Sequence, residues 1–313
     1  MRRSAKKQLN LLKYLLNDMT QEQSVEQQTH HIRAKEVDSE EKSQEDEIIT
    51  DEEELPSSSV AIHETIRQSG EKELERDGMA LLLSAIAAGL SMGTSLLVKG
   101  LLQVHTEGLP GSFLLENFGY CVGFIIVILA HQQLFTENTI TAVLPVMHKP
   151  VKSNFLLLLR LWGVVLIGNF IGTSLVALAF NHMPVFDDTL QQAFIHLSET
   201  AVQHDATQMF CGALVSGWLI ATMVWMFPHA GSAKILVIIM VTWIMSLAGL
   251  SHIVVGSVEA FFLVFNGHMT WGEFLWPFAI PTLLGNITGG TFIFALLSHV
   301  QIRNDFSELN KQK

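Results

Sequence analysis

Residues 245–257 read Met-Ser-Leu-Ala-Gly-Leu-Ser-His-Ile-Val-Val-Gly-Ser, and they lie inside an apolar run that extends from Ile235 to Phe265. A straight helix over that run would be about 46 Å long, whereas the hydrocarbon core of a bilayer is roughly 30 Å thick. An ionisable side chain such as His252 is costly at that depth, so it marks a candidate functional site. We therefore expect the helix either to tilt steeply or to break at the small and polar residues around His252.

The composition is that of a polytopic membrane protein joined to a polar segment. Of the 313 residues, 49% are hydrophobic and 16% are charged, which is typical of such proteins. Residues 1–77 hold 11 Lys and Arg against 19 Asp and Glu, so most of the net charge of -11 belongs to them. Cys121 and Cys211 each lie alone in an apolar run, and we expect them to be packing residues rather than parts of a disulfide or a metal site.

The predicted divisions of the chain are an acidic tail, a pre-membrane helix, a membrane domain and a C-terminal tail, at residues 1–54, 55–77, 78–303 and 304–313. The acidic tail is poor in apolar residues, so we expect it to be largely disordered. Its first part, residues 1–19, has the basic amphipathic pattern of a short surface helix. The pre-membrane helix is expected to end near Gly70 and to lie along the membrane face.

Six apolar segments follow, at about residues 79–101, 112–147, 154–180, 207–228, 234–266 and 274–300. The second and fifth are too long for one ordinary crossing. A polar stretch at 131–139 interrupts the second, and the residues around His252 interrupt the fifth. Two interrupted segments at corresponding places in two halves of a chain indicate the central site of a transporter.

A repeated motif supports a division into two halves. The third and sixth segments carry the same Gly-Asn-x-x-Gly pattern, at Gly168, Asn169 and Gly172 and at Gly285, Asn286 and Gly289. Thr136 precedes the first motif by 32 residues, and His252 precedes the second by 33. Plain helix packing also uses such small residues; the matched spacing favours a repeat. We predict an all-α fold of six transmembrane helices, arranged as two inverted three-helix repeats with spans 2 and 5 broken.

The basic residues predict the orientation. Six spans place certain loops and the C-terminal end on the same side of the membrane as the N-terminal segment. The basic residues in these loops and in that end are Lys149, Lys152, Lys234, Arg303, Lys311 and Lys313. The long loop 181–206 holds four acidic residues and neither Lys nor Arg. Both termini are therefore expected to be cytoplasmic. Lys99 is the exception, and we expect it to snorkel to the outer interface.

Thr136 and His252 are the leading candidates for a site on the pathway. A helix broken in mid-membrane exposes backbone N–H groups and a positive dipole end, which favours an anion. Thr136 and Asn138 are expected to cap the half-helix that begins near residue 139, and Thr136 also offers its hydroxyl to a ligand. His252 is expected to face Thr136, to be neutral at rest and to gain or hand over a proton when an anion arrives. The alternatives are a purely capping Thr136 and a core histidine bonded to a backbone carbonyl.

These motifs closely resemble the formate/nitrite transporter family. The residues that carry the resemblance are Leu134-Phe135-Thr136, the central His252, Arg160-x-Trp162 leading to Gly168-Asn169, and Gly285-Asn286-x-x-Gly289-Gly290. The resemblance covers about residues 55–303. It implies an aquaporin-like protomer with its own pore, assembled as a homopentamer in the bacterial inner membrane and passing small monovalent anions such as formate, nitrite or hydrosulfide. It also implies that Leu134 and Phe135 narrow the pore on the cytoplasmic side of Thr136, and that His252 is the central proton-exchanging residue.

The chain departs from the family pattern at three places. Ser251 stands where the family often has Glu, Gly217 stands in span four where it often has Asn, and the outer loop lacks a basic residue. In addition, Glu137 follows Thr136 and would repel an anion if it were ionised and faced the pore. A solvated or capping Glu137 is the alternative.

Three other functions are weighed against anion transport. A pore for a neutral small solute is favoured by Glu137 and by the lack of a basic residue in the outer loop, and it is disfavoured by His252. An intramembrane serine protease is suggested by Gly249-Leu-Ser251, but the last span offers only His299 as a base. A membrane scaffold would use the acidic tail to bind partners. We expect a transporter rather than an enzyme, with no cofactor, no metal site and no nucleic-acid partner.

Overall fold

The computed structural model describes residues 58–301, and all regular secondary structure in that range is helical. The predicted tail at 1–54, its helix at 1–19 and the tail at 304–313 lie outside the described residues. The helices are α1 (Ser58–Glu75), α2 (Gly78–Thr106), α3 (Ser112–Phe118), α4 (Cys121–Leu129), α5 (Val143–His148), α6 (Lys152–His182), α7 (Asp188–Val202), α8 (Ala206–Ala230), α9 (Lys234–Leu247), α10 (Ile253–Phe265) and α11 (Trp271–Gln301).

Helix α1 does not end near Gly70, as the sequence had led us to expect. It continues to Glu75, and Gly70 is instead the point where α1 touches the chain before α5. A Cβ atom at Gly70 would lie 1.9 Å from the carbonyl oxygen of Thr141. The apolar side of α1, including Val60 and Ile66, is buried. This helix therefore packs tightly on the helical domain.

Five helical segments of the described residues are long and apolar enough to cross a membrane. They are Gly78–Thr106, Ser112–Leu129, Lys152–His182, Ala206–Leu247 and Trp271–Gln301, while Ile253–Phe265 is a shorter apolar helix. The segment Ala206–Leu247 has 42 residues, about 63 Å if it were straight. A tight turn at Gly231–Ala233 divides it into α8 and α9.

Two close helix crossings are built in the same way. Where α2 crosses α6, a Cβ atom on Gly89 would lie 2.3 Å from the carbonyl oxygen of Asn169. Where α8 crosses α11, a Cβ atom on Gly217 would lie 2.4 Å from the carbonyl oxygen of Asn286. The remaining glycines of the two motifs lie at the same crossings, at Gly168, Gly172, Gly285 and Gly289. Small residues are required here because the backbones are in contact.

The stretch 181–206, which the sequence predicts to be a loop, contains helix α7. Asp187 caps it by accepting a hydrogen bond from the N–H of Leu190 at 2.9 Å. Leu190, Phe194 and Leu197 are buried, and the Phe194 ring stacks on Phe180 at 5.3 Å. Their helical spacing was the available signal. The helix forms one wall of a cavity described below.

Candidate functional site

The helices before the two interruptions end in the same backbone turn. At the end of α4, His131 has a φ angle of 49°, and at the end of α9, Gly249 has a φ angle of 60°. In each turn the N–H of the following residue donates to the carbonyl oxygen five residues earlier. The nitrogen–oxygen distance is 2.9 Å for the N–H of Gln132 and 3.0 Å for the N–H of Leu250. A left-handed residue followed by this bond is the Schellman motif. The two turns lie 118 residues apart in the sequence.

The chain beyond each turn is held by an asparagine of a Gly-Asn-x-x-Gly motif. Asn169 accepts the N–H of Phe135 at 2.9 Å, and it donates to the carbonyls of Gln133 and of α2. Asn286 accepts the N–H of Ile253 at 2.9 Å and donates to a carbonyl of α8. Phe135 and Ile253 are again 118 residues apart. The asparagines thus supply partners for buried backbone groups that a helix break would leave unpaired.

Further side chains fix the two interruptions. Trp162 donates from its indole nitrogen to the carbonyl of Asn138 at 3.1 Å. The hydroxyl of Ser216 donates to the carbonyl of Ser251 at 2.5 Å. Arg160 bonds to a carbonyl at the turn between α1 and α2. The Arg160-x-Trp162 motif therefore ties the first interruption and α1 to the same helix, α6.

Thr136 and His252 are in direct contact at the centre of the domain. Thr136 Oγ1 and His252 Nε2 are 2.8 Å apart, and the residues are 0% and 2% exposed. His252 Nδ1 accepts the N–H groups of Val254 and Val255 at 3.3 Å each, and so caps α10. Because Nδ1 accepts, the proton of the neutral ring is on Nε2, which donates to Thr136. The edge of His252 packs on Phe124, with ring centroids 5.2 Å apart.

The capping roles predicted from the sequence are wrong. Thr136 makes no side-chain cap bond. The amide of Asn138 bonds to the side chain of Gln133 and to the carbonyl of Leu134. A single 3₁₀ turn follows Thr136, and α5 begins only at Val143. The alternative view of His252 as a ring bonded to a backbone carbonyl is also wrong, because Nδ1 accepts from backbone N–H groups.

A cavity of about 410 Å³ lies between α1, the first interruption and the turn that joins α8 to α9; we call it the proximal cavity. Its charged and polar lining includes Lys72, Glu73, His131, Gln132, Gln133, Glu137, Asn138 and Lys234. The amide of Gln133 donates to Glu73 at 2.9 Å. Glu137 therefore faces a cavity that also holds two lysines. This cavity ends at the residue next to Thr136.

A second cavity, of about 300 Å³, lies between α2, α3, α7, the second interruption and α10; we call it the distal cavity. Its lining includes Ser251, His252, Glu259 and Lys99. Lys99 was expected to extend toward the outer interface. Its side chain lines this cavity, and its Nζ lies 6.0 Å from the centre of the Tyr120 ring. The cavity thus has a basic side chain, although the loop beside it has none.

The contact between Thr136 and His252 lies between the two cavities. Glu137 lines the proximal cavity and His252 lines the distal cavity. Leu134 and Phe135 are 1% and 2% exposed, and Phe135 packs on Trp162 at a centroid distance of 5.9 Å. A path between the cavities must therefore pass one buried hydrogen bond and a surrounding apolar shell.

Glu259, which the sequence motifs did not single out, is 4% exposed and lines the distal cavity. It lies in the apolar segment 234–266, where a single acidic residue is easily counted as part of the span. The signal was available, because an acidic residue within a span is rare unless it faces a cavity or a partner. Gly217, the position in span four where the family often has Asn, lies against the backbone of Asn286.

The surroundings of Ser251 do not resemble those of a serine nucleophile. Its hydroxyl contacts the sulfur of Met209 at 3.1 Å. His299, the base considered for a protease, lies with Nδ1 3.4 Å from Nε2 of His63 on α1. The adjacent His252 is bonded through Nε2 to Thr136. A nucleophile and its base need to be within hydrogen-bond reach, and these contacts hold the side chains in other places.

The chain is similar to known proteins both in sequence and in fold. The formate/nitrite transporter family model matches residues 60–300. The chain is 64% identical to the inner membrane protein YfdC of Escherichia coli over 278 residues, which covers 89% of each protein.

Two solved structures share the fold. One, a pentameric formate channel with formate bound, has a TM-score of 0.63 and 23% identity, with 72% of this chain and 97% of that chain covered. The other, an FNT family ion channel, has a TM-score of 0.62 and 20% identity, with 75% and 96% covered. The resemblance inferred from the sequence motifs is confirmed by the family model and the YfdC relative. The chain belongs to the formate/nitrite transporter family.

Proposed function

We propose that this protein is a channel or transporter for small monovalent anions or their weak acids, and that the solute crosses the centre as a neutral acid through proton sharing at His252. The observation that carries the proposal is the buried contact of Thr136 with His252 between two cavities, each of which has charged side chains in its lining. The pentameric formate channel with the same fold was solved with formate bound. Because the family consists of transporters, we propose that the chain has no enzymatic activity.

The architecture proposed is six spans in two inverted repeats within residues 78–303, preceded by the helix region 55–77. The two interruptions support it, because the left-handed residue and the asparagine-bound N–H both recur at a spacing of 118 residues. In this arrangement α3, α4 and α5 form the second span, and α9 and α10 form the fifth. With a spacing of 118 residues between the two halves, His252 in the second half corresponds to Leu134 in the first. Thr136 and His252 are therefore in contact although they do not occupy equivalent positions in the two repeats.

We further propose a homopentamer in a bacterial inner membrane with both termini cytoplasmic, each protomer having an aquaporin-like pore. The names of the relatives support this, since one is an inner membrane protein and another is a pentameric channel. The proximal cavity, which Lys234 lines, would face the cytoplasm, because lysines in short loops favour that side. The distal cavity would face outward.

Physical chemistry favours a neutral solute at the centre. An isolated anion in an apolar constriction loses hydration worth much more than one neutral hydrogen bond returns. Even for charged side chains inserted in a bilayer, the cost is about 2.5–3.5 kcal/mol. Protonation removes most of that penalty. Thr136 would hold the solute while His252 shares the proton, and Leu134 and Phe135 would keep water out.

The test is the flux of a small weak acid into proteoliposomes at pH 7 and pH 5. His252→Phe should lower net flux about tenfold or more at pH 7, and much less at pH 5, because the bulk solution then supplies about a hundredfold more neutral acid. His204→Phe replaces another histidine of the distal cavity and should keep wild-type flux. Equal losses at both pH values in correctly assembled His252→Phe would make His252 a structural residue.

A pore for a neutral small solute is the second candidate function. The observation that favours it is a carboxylate in each cavity, Glu137 in the proximal one and Glu259 in the distal one. Such groups repel anions when they are ionised. Flux of water or ammonia that exceeds the flux of every weak acid at both pH values would support this candidate over the first.

A further inference from the structure

We infer that Glu259 is a proton-exchanging site of the distal cavity, and that it loads the proton which a small carboxylic acid carries past His252. The inference rests on the proposed function, since it concerns a solute that crosses as a neutral acid. It assigns a role to a side chain that the contact of Thr136 with His252 leaves unexplained.

Glu259 lies on α10, seven residues after His252. Two turns of helix therefore separate them, about 10 Å along the axis. Every residue of α10 from Ile253 to Leu263 is buried, and Glu259 is 4% exposed. Both Glu259 and His252 line the distal cavity. Among residues 58–301, no side chain or backbone group hydrogen-bonds to the Glu259 carboxylate, so the cavity is where its partners must come from.

The charge around Glu259 suits a group that alternates between two protonation states. Lys99 lines the same cavity from α2 and interacts electrostatically with Glu259. A buried carboxylate without hydrogen bonds is costly, and Lys99 partly offsets its charge when it is ionised. The titratable side chains that line the cavity with Glu259 are Lys99, Glu116, Tyr120, His196, His204 and His252. Helices α6 and α11 also pack on α10, and they place no titratable side chain in this lining.

The bonding of His252 shows why a second group is needed. Its Nδ1 already accepts two N–H groups at the start of α10, and its Nε2–H donates to Thr136. To receive a proton, Nδ1 would have to release those N–H groups. To give up its ring proton, neutral imidazole would have to become an anion. His252 in this state shares its Nε2 proton with the solute as a hydrogen-bond donor, and the additional proton that makes the solute neutral must come from another group.

The step that Glu259 performs is a simple proton transfer. A carboxylate anion enters the distal cavity, where Lys99 attracts it. The O–H bond of protonated Glu259 breaks and an O–H bond forms on the solute, which leaves neutral acid and ionised Glu259. The neutral acid then passes His252 and Thr136. Water on the distal side returns a proton to Glu259, so that one proton and one anion cross together.

The first experiment is chemical and does not depend on flux. Dicyclohexylcarbodiimide modifies protonated carboxyl groups in apolar surroundings. We expect the wild-type protein in proteoliposomes to be modified at Glu259, faster as the pH of the distal side falls, with mass spectrometry locating the adduct. Glu116, which lines the same cavity but is more exposed, should react much more slowly. Absence of a Glu259 adduct at every pH would overturn the inference.

The second experiment varies the pH on one side at a time, with orientation scored by access to an N-terminal tag. Glu259→Gln should flatten the dependence of weak-acid uptake on distal pH and lower uptake about tenfold at distal pH 7, a loss equivalent to about 1.4 kcal/mol. Dependence on proximal pH should remain. Glu259→Asp should restore part of the distal dependence, and Glu116→Gln should behave as wild type.

These outcomes separate the inference from the proposed function. Wild-type dependence on distal pH in an assembled Glu259→Gln protein would make Glu259 a structural residue, whatever His252→Phe shows. If His252→Phe loses flux equally at pH 7 and pH 5 while Glu259→Gln still flattens the distal dependence, the central histidine role fails and the proton-loading site stands. Should Glu259→Gln not assemble, the carbodiimide result on the wild-type protein decides alone.

Discussion

His252 presents only one hydrogen-bonding group to the centre of the protein, the Nε2–H that Thr136 now accepts. A solute that replaces Thr136 must therefore bring an acceptor of its own. Breaking the present bond costs about 0.5–1.5 kcal/mol net, which a carboxylate or carbonyl oxygen can return. If the solute passes this contact, we expect the contact to disfavour solutes that only donate and to accept anions and their acids.

Removal of the Thr136 hydroxyl tests this view at the level of one residue. Thr136→Val keeps the volume but leaves the Nε2–H of His252 without its partner, so we expect weak-acid flux to fall about tenfold, in line with one lost buried hydrogen bond. Thr136→Ser should retain most of the flux. In the matched control, Thr282→Val removes a buried hydroxyl that has no partner within residues 58–301 and should change neither flux nor stability. Wild-type flux in Thr136→Val would contradict the role given to the hydroxyl.

Among the structural elements, the two interruptions depend on Asn169 and Asn286. Asn169→Leu would leave three buried backbone groups without this partner, at about 1–3 kcal/mol each. We expect a large fall in the thermal unfolding temperature of the solubilised protein. Asn286→Leu should have a similar effect. Asn154→Leu removes a hydrogen bond to the carbonyl of Lys149 at an exposed position, and it should lower the unfolding temperature only slightly.

Helix α1 provides an element whose stability depends on pH. Burial, and then the neighbouring His299 ring, lower the pKa of His63 from 6.5 to about 4. Neutral His63 is therefore favoured in the folded state, and this contribution to stability is present above about pH 6.5 and is lost as the pH falls toward 4. The packing of α1 on the domain should weaken over that range.

The measurement is the difference in unfolding temperature between pH 7.5 and pH 5. We expect a smaller difference in His63→Phe than in the wild type, because the variant has no group to protonate there. The control is His105→Phe, at an exposed position of α2, which should keep the wild-type difference. An unchanged difference in His63→Phe would assign the pH dependence to other groups.

On the scale of the whole molecule, many large apolar side chains lie on the outside of the helical domain. They include Leu83, Phe155, Leu236, Phe292 and Leu297, each more than half exposed. Such a surface needs lipid or neighbouring protomers to cover it. In a ring of five, part of it would contact protomers and the rest would contact lipid.

Native mass spectrometry in mild detergent tests the assembly. We expect a complex of five chains, each with its own pore. A purified protein that is active in flux assays but consists of single chains or pairs would contradict the pentamer, and it would leave the proposed pore within one protomer intact.

The sequence by itself determined the helical membrane class, the places where two segments break and the family. The class and the breaks follow from the lengths of the apolar runs and the polar residues inside them, which are local patterns. The family follows from the resemblance of the sequence motifs to those of known members. The sequence also singled out Thr136 and His252, but it assigned Thr136 a capping role that the structure does not show. Capping depends on backbone angles after the residue, which local composition does not fix.

Only the tertiary structure decided which groups share a cavity. Lys99 and Glu259 are 160 residues apart, and no spacing rule relates them, yet the packing of α2 and α10 places both in the cavity that His252 also lines. The backbone hydrogen bonds of the two turns likewise belong to the folded chain, because counting residues between motifs does not reveal a turn. A site formed by side chains from distant helices is set by how those helices pack, and packing is a property of the folded chain.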